Sequence, residues 1–357
     1  MPASSVRRSP YGDVQLGAFR EVLTYPGRYL NDHCLIRHDG LWHFFGIIGD
    51  VTGPGEMHGV EDSLAHATSA DLMQWTVHPP ALTATGVWPE EVTCFAPYVI
   101  EHDGCFYMLY CVTDTHRTQR ICLATSTDCF AWERFPGNPA IVPSVSWAKW
   151  PGFGLPKPDQ VDRMHRDAGG DFLSVARRLG GSYGGCRDPH IIKLDDGTFV
   201  AYWVARVQEK FGHNLVCVAA SMSHDLLHWQ EIGPVFTMKA WPFDDEPTLE
   251  VESPCVVPKD GKFWLFFKHG WWTHFVASDS PYDFHGYEPQ RLGFCHASEV
   301  LHWEGQWWIT HCSADPDDFR YRESNRTRGL FMGHLDWPDD APPRLITPGE
   351  VAGSRSP

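Results

Sequence analysis

An all-β fold, a five-bladed β-propeller of four-stranded antiparallel blades, follows from three observations on this 357-residue chain. Five hairpin signals recur along it, and each is followed by a second strand-and-turn element of one kind. Three acidic residues then stand just ahead of the strands that the repeats make innermost.

The hairpins occupy residues 34–45, 97–110, 190–203, 255–267 and 299–311. In the first four an Asp-Gly pair separates two alternating apolar-aromatic runs, the strongest short hairpin signal in a sequence. The fifth carries Glu304-Gly305 instead. The turn glycines Gly40, Gly104, Gly197, Gly261 and Gly305 stand 64, 93, 64 and 44 residues apart, which fits blades joined by loops of varying length. The second element covers residues 66–75, 123–132, 219–229, 276–284 and, in degenerate form, 330–337. It reads as a strand, a polar turn and an aromatic anchor leading into a fourth strand. Five such sheets set radially leave only short, protected edges; a pair of β-sandwiches is the alternative. The expected division is an N-terminal segment over 1–27, the propeller over 28–340 and a tail over 341–357. A Gly-, Pro- and Trp-rich insertion at 142–183 precedes blade three, with a short helix near 171–179. It is expected on the mouth side, as a lid, a subsite wall or an oligomer contact. The stretch after Pro338 is expected to close the ring.

Composition narrows the function classes. Hydrophobic residues at 43% and charged ones at 21% are those of a soluble globular protein. The 16 Trp and 21 Phe are a hint only, since aromatic faces stack sugars and β-sheets also favour aromatics. A formal charge of −16 repels phosphate backbones, so no nucleic-acid partner is expected. No stretch reaches 18 apolar residues, so no membrane span is expected. The N-terminus lacks the apolar core of a signal peptide. Eleven cysteines without a CxxC pair predict reduced, buried thiols in a cytoplasmic protein rather than a disulfide frame or zinc site. His190, His269 and His274 show no tight ligand spacing, so neither metal nor cofactor is expected.

Strand order sets the candidate site. If each innermost strand starts at the mouth, the Asp-Gly turns lie at the bottom and the residues before each innermost strand share one rim. Counting nine back from the turn glycine gives Asp188 in blade three and Glu252 in blade four; counting eight back in a shorter blade one gives Asp32. Phe95 and His296 hold the corresponding positions in blades two and five. Carboxyl groups in an aromatic cleft divide acid and base work, because a desolvated one keeps its proton and a paired one stays ionised. Glycoside hydrolysis uses such a pair.

With these residues in hand, the chain resembles the five-bladed glycoside hydrolases of families 32 and 43 over roughly residues 28–340. Tyr29-Leu30-Asn31-Asp32 is similar to the family 32 motif Asn-Asp-Pro-Asn, with His33 and Cys34 in place of its last two residues. The stretch 64–82 resembles that family's first-blade signature, Arg187-Asp188-Pro189 its Arg-Asp-Pro, and Glu252-Ser253-Pro254 its Glu-Cys-Pro. Phe95-Ala96-Pro97 and His296 are similar to features of family 43. The family 32 likeness implies Asp32 as nucleophile, Asp188 as transition-state stabiliser and Glu252 as acid/base. The family 43 likeness implies base, pKa modulator and acid for the same three. No length remains for the C-terminal β-sandwich usual in family 32.

Around this trio, Asn31, Phe95, Arg187, His269, Trp271 and His296 are candidate substrate-binding residues, with Trp271 and Trp272 as a possible sugar platform. Arg187 reads equally well as a structural ion pair. The expected function is hydrolysis of a small oligosaccharide or glycoside, such as a fructoside or arabinoside. The alternatives are a non-catalytic carbohydrate-binding propeller and a glycoside phosphorylase or transglycosylase. Linkage, stereochemical outcome and oligomeric state stay open.

Overall fold

The computed structural model describes residues 19–50, 60–85, 93–113, 119–149, 185–212, 215–239, 241–243, 246–249, 251–269, 272–313 and 329–346. Most of the expected insertion, its helix and Trp271 lie outside the described residues. β1 (Arg20–Leu23) comes first. Blade one is β2 (Arg28–His38), β3 (Leu41–Asp50), β4 (Ser63–Ser69) and β5 (Thr76–Thr83). Blade two is β6 (Thr93–His102), β7 (Cys105–Thr113), β8 (Gln119–Ser126) and β9 (Glu133–Arg134), and blade three is β10 (Arg187–Lys193), β11 (Phe199–Arg206), β12 (Leu215–Ser223) and β13 (Gln230–Lys239). A short hairpin of β14 (Trp241–Phe243) and β15 (Glu246–Leu249) leads to blade four, β16 (Val251–Lys259), β17 (Lys262–His269), β18 (Trp272–Ser278) and β19 (Gln290–Gly293). Blade five holds β20 (Glu299–Trp303), β21 (Gln306–Ser313), β22 (Gly329–Asp336) and β23 (Arg344–Leu345). Strands within a blade pair antiparallel in chain order. The innermost strands β2, β6, β10, β16 and β20 touch in a closed ring.

The turn chemistry explains the repeat. Asp39-Gly40, Asp103-Gly104, Asp260-Gly261 and Glu304-Gly305 all have positive φ at both residues, as a two-residue hairpin turn requires. Blade three differs. Its hairpin closes through Leu194 and Thr198 around a three-residue loop in which only Gly197 has positive φ. The second element is equally regular. In blades one to three, Asp71, Asp128 and Asp225 each accept two backbone N–H groups at 2.8–2.9 Å, which sharpens the turn after the third strand. The next residue, Leu72, Cys129 or Leu226, is left-handed, and its carbonyl accepts the indole N–H of Trp75, Trp132 or Trp229.

Because every blade is a sheet covered on both faces, the core forms as layers between neighbouring blades. Trp203 and Cys186 lie in the layer between blades two and three, Tyr202 and Phe267 between three and four, and Trp264 and Trp337 between four and five. Much of the aromatic excess is spent here: Trp203, Tyr202, Phe44, Phe266 and Phe267 are fully buried. All eleven cysteines are free, and all but Cys105 are buried.

Ring closure departs from the expected division. β1 lies within the segment set apart as N-terminal, yet it pairs with the first half of β22, Leu330–Met332, while β23 pairs with the second half. The outer edge of blade five is therefore completed by both chain ends, and the propeller begins before residue 28.

Candidate active site

The site grows from a bulge repeated near the start of each innermost strand. In blades two, three and four the pairing skips two residues, between Phe95 and Tyr98, Arg187 and His190, and Glu252 and Cys255. In these blades the second skipped residue is Pro, which cannot donate to the ladder, and the first is left-handed: Ala96 (φ 47°), Asp188 (φ 55°) and Ser253 (φ 49°). Ala297 in blade five repeats the strain at φ 53°. Non-glycine residues held there cost about 1–3 kcal/mol each and concentrate at functional sites.

This register corrects the count from the turn glycines. The longer turn of blade three displaces Gly197 by one, so Arg187, not Asp188, matches Glu252. Blade one is not shortened either, so Asn31 matches Glu252 and Asp32 matches Ser253. The site is a funnel of tiers. The outer tier is Asn31, Phe95, Arg187, Glu252 and His296; the second is Asp32, Ala96, Asp188, Ser253 and Ala297; Cys34, Tyr98, His190, Cys255 and Glu299 lie two residues further along. The second tier, the residues that follow it and Glu299 line one small, solvent-open cavity. Asp32 and Asp188 thus face one space, and Glu252 stands one tier out.

Ser253 ties the trio together. Its hydroxyl donates to Asp32 Oδ1 at 2.6 Å and its backbone N–H donates to Asp188 Oδ2 at 3.0 Å. The Asp188 N–H is held in turn by Cys111 Sγ at 3.3 Å. Arg187 spans the other side, with Nη2 3.1 Å from Glu252 Oε1 and Nε 3.5 Å from Asp188 Oδ2. Lys268 ion-pairs with the second oxygen of Glu252.

These contacts divide the protons. Burial pushes Asp188 up to about 8, helped by the Asp32 charge and opposed by Arg187. Burial also lifts Asp32 to about 6, against the Ser253 hydroxyl and Lys268, while Glu252 and Glu61 add to the rise. Burial would raise Glu252 too, but Lys268, Arg187 and His296 outweigh it and hold the group well below the ordinary range. At neutral pH the resting site carries an anion at Glu252 and a proton at Asp188.

Arg187, expected as a sugar ligand or an ion pair, is an ion-pair residue here. Asn31 is buried, with its Oδ1 lacking a hydrogen-bond partner among the described residues. Phe95 is half-buried against the layer between blades two and three. His296 stands beside Glu252 and does not line the cavity. His269 is buried next to Lys268, and Trp272 is stacked by Arg291 at 4.4 Å. Sequence reasoning passed over Lys268, Ser253 as a bridge, and Glu299. Lys268 left a signal: it falls inside the apolar-aromatic run Phe263–His269, whose residues from Trp264 on are buried, and a buried cation demands a partner.

Residues 23–149 match the family model described as the glycosyl hydrolases family 32 N-terminal domain. No curated protein matches in sequence. Among solved structures, a thermostable family 43 glycoside hydrolase superposes with TM-score 0.62 at 14% identity, covering 92% of this chain and 95% of its own. A family 43 enzyme from Xanthomonas citri gives 0.63 at 14%, covering 93% and 94%. A Bombyx mori family 32 β-fructofuranosidase gives 0.62 at 16%, covering 94% of this chain and 66% of its own. The fold is thereby defined as the five-bladed propeller that solved glycoside hydrolases of families 32 and 43 share. The family 32 signature lies in its first blades, and the common fold runs through nearly the whole chain.

Proposed function

We propose that the protein hydrolyses the glycosidic bond of a small furanoside or related glycoside, with Asp32, Asp188 and Glu252 as its catalytic residues. The observation that carries this reading is the bridge at Ser253, which fixes two carboxyl groups of different proton affinity on one cavity and sets the third beside them. The solved neighbours point the same way: one is a β-fructofuranosidase with a variant bound to sucrose, another a β-xylosidase/α-arabinofuranosidase bound to xylotriose. Asp32, near 6, is ionised at neutral pH and serves as nucleophile or base. Glu252 as acid must first gain a proton, and Asp188, linked to it through Arg187, is the carboxyl of the trio that holds one most firmly. Sugar hydroxyls that draw Lys268 away from Glu252 favour that transfer. Among the described residues both cations beside the trio, Arg187 and Lys268, are engaged with Glu252, which argues against a phosphate subsite and hence against a phosphorylase. The free thiols support a reducing, cytoplasmic setting as part of the same reading.

One observation favours a second reading. A Glu252 locked in two ion pairs is what a non-catalytic sugar-binding propeller would show. A screen with sucrose, aryl arabinofuranosides and aryl xylosides separates the two, using Asp32→Asn and Glu252→Gln as controls. Turnover lost by at least a hundredfold in both variants supports hydrolysis. Sugar binding without turnover supports the second reading, and equal turnover in wild type and variants removes the assigned roles.

A further inference from the structure

Beneath the cavity, blades three, four and five each contribute one side chain of different chemistry to the third tier. We propose that His190, Cys255 and Glu299 form a binding site for a borderline-soft divalent metal ion of the zinc type. Their donor atoms all lie within 4.8 Å of one another. Cys255 Sγ is 3.8 Å from Glu299 Oε2, and His190 Nε2 is 4.0 Å from the same oxygen. A tetrahedral ion with bonds of about 2.3 Å to sulfur and about 2.0 Å to nitrogen and oxygen has ligand-to-ligand edges of about 3.3–3.5 Å. Closing the triangle therefore asks its edges to shorten by about 0.3 to 1.3 Å, shared between two side chains at each edge and within the reach of their torsions.

The site has reason to hold a cation. Glu299 is largely buried, and among the described residues its one hydrogen-bond donor is the weak Cys255 thiol. The Asp32 carboxylate opens onto the same cavity, while Arg187 and Lys268 are drawn to Glu252. The donor set selects the metal. Thiolate with imidazole suits zinc, cobalt or iron, whereas calcium and magnesium take oxygen ligands. Tyr98, its ring 4.2 Å from His190, and the buried Cys34 close the tier on the remaining blades. One contact opposes binding: the Val256 N–H points at His190 Nδ1 at 3.4 Å. Coordination through Nε2 needs the proton on Nδ1, so loading gives up this long hydrogen bond. It also releases the thiol proton to solvent. Three protein ligands leave a fourth position for water, as in open zinc sites. The inference does not depend on hydrolysis, and its test does not read activity.

The test is a Co²⁺ titration of chelator-treated full-length protein, followed by absorption. The expected result is tetrahedral d–d bands with a thiolate-to-cobalt charge-transfer band, saturating at a single equivalent, displaced by Zn²⁺ and indifferent to Ca²⁺. Cys255→Ser, nearly isosteric, should abolish the charge-transfer band with its circular dichroism unchanged. Glu299→Gln should keep the band and weaken affinity at least tenfold, and it serves alone if the serine variant does not fold. Absence of the band, its persistence in Cys255→Ser through other thiols, unchanged affinity in Glu299→Gln or equal competition by Ca²⁺ would each overturn the proposal.

Discussion

Ser253→Ala removes one hydroxyl and leaves the backbone donor to Asp188 and the left-handed conformation in place. The lost bond, Oγ to Asp32 Oδ1 at 2.6 Å, is a hydrogen bond to a group that carries charge at neutral pH. Such bonds are worth about 1.5–3 kcal/mol, and a pKa unit corresponds to about 1.4 kcal/mol. Asp32, now near 6, should therefore rise by about one to two units. If ionised Asp32 is the working species, the acid limb of kcat/KM moves up by that amount. Activity at pH 6 then falls about five- to fiftyfold and returns toward the wild-type value above pH 9. Stability gives a second readout. A carboxyl whose folded pKa lies above its unfolded value costs stability when pH exceeds the folded value, and that cost vanishes below the unfolded value. Urea unfolding should thus show the variant weaker by about 1.5–3 kcal/mol at pH 8 and close to wild type at pH 4. Carboxyl ¹³C titration of Asp32 measures the shift directly. A limb that stays in place, with activity reduced equally at every pH, would show that the Ser253 hydroxyl does not set the proton affinity of Asp32.

Lys268→Met leaves half-buried Glu252 with Arg187 as its ion-pair partner and His296 nearby, and should cost about 2–4 kcal/mol at pH 7 by urea unfolding. Because the folded pKa of Glu252 is depressed, the stabilisation is present above its unfolded value near 4.5 and fades as pH falls through the folded one. The gap between variant and wild type must therefore narrow toward pH 4; a gap under about 1 kcal/mol at pH 7 contradicts the ion pair. Gly49→Ala would put a Cβ 2.2 Å from the ring of fully buried Tyr29, whose hydroxyl bonds Glu61. It should cost about 1–3 kcal/mol in thermal unfolding, and an unchanged Tm would show that the ring has room to move. A chain starting at Thr24 loses β1 and bares the first half of the β22 edge, so about 2–4 kcal/mol of burial at half-buried Val22 and buried Leu23 is forfeited. Lower Tm and larger species in size-exclusion chromatography are expected; an unchanged Tm and elution volume would mean that β23 alone completes the blade.

The repeat was legible in the chain because it is written in local chemistry. Asp-Gly turns and the Ser-x-Asp turn ahead of a Trp act within a few residues, so composition and spacing reveal five blades and their strand order. The acidic positions of interest were legible for the same reason, as each precedes a strand that could be named. Their grouping was not. Leu194-Asp195-Asp196-Gly197 is compatible with a two- or a three-residue turn, and the difference of one residue moves Asp188 from the tier of Glu252 to that of Asp32. Alternation along a strand tells which face a side chain takes, but not what meets it from another blade. Lys268 on Glu252, Ser253 between Asp32 and Asp188, and Glu299 beside Cys255 and His190 are such meetings. Residues dozens to hundreds of positions apart are brought together only when the ring closes, and burial and neighbouring charge then decide which carboxyl keeps its proton.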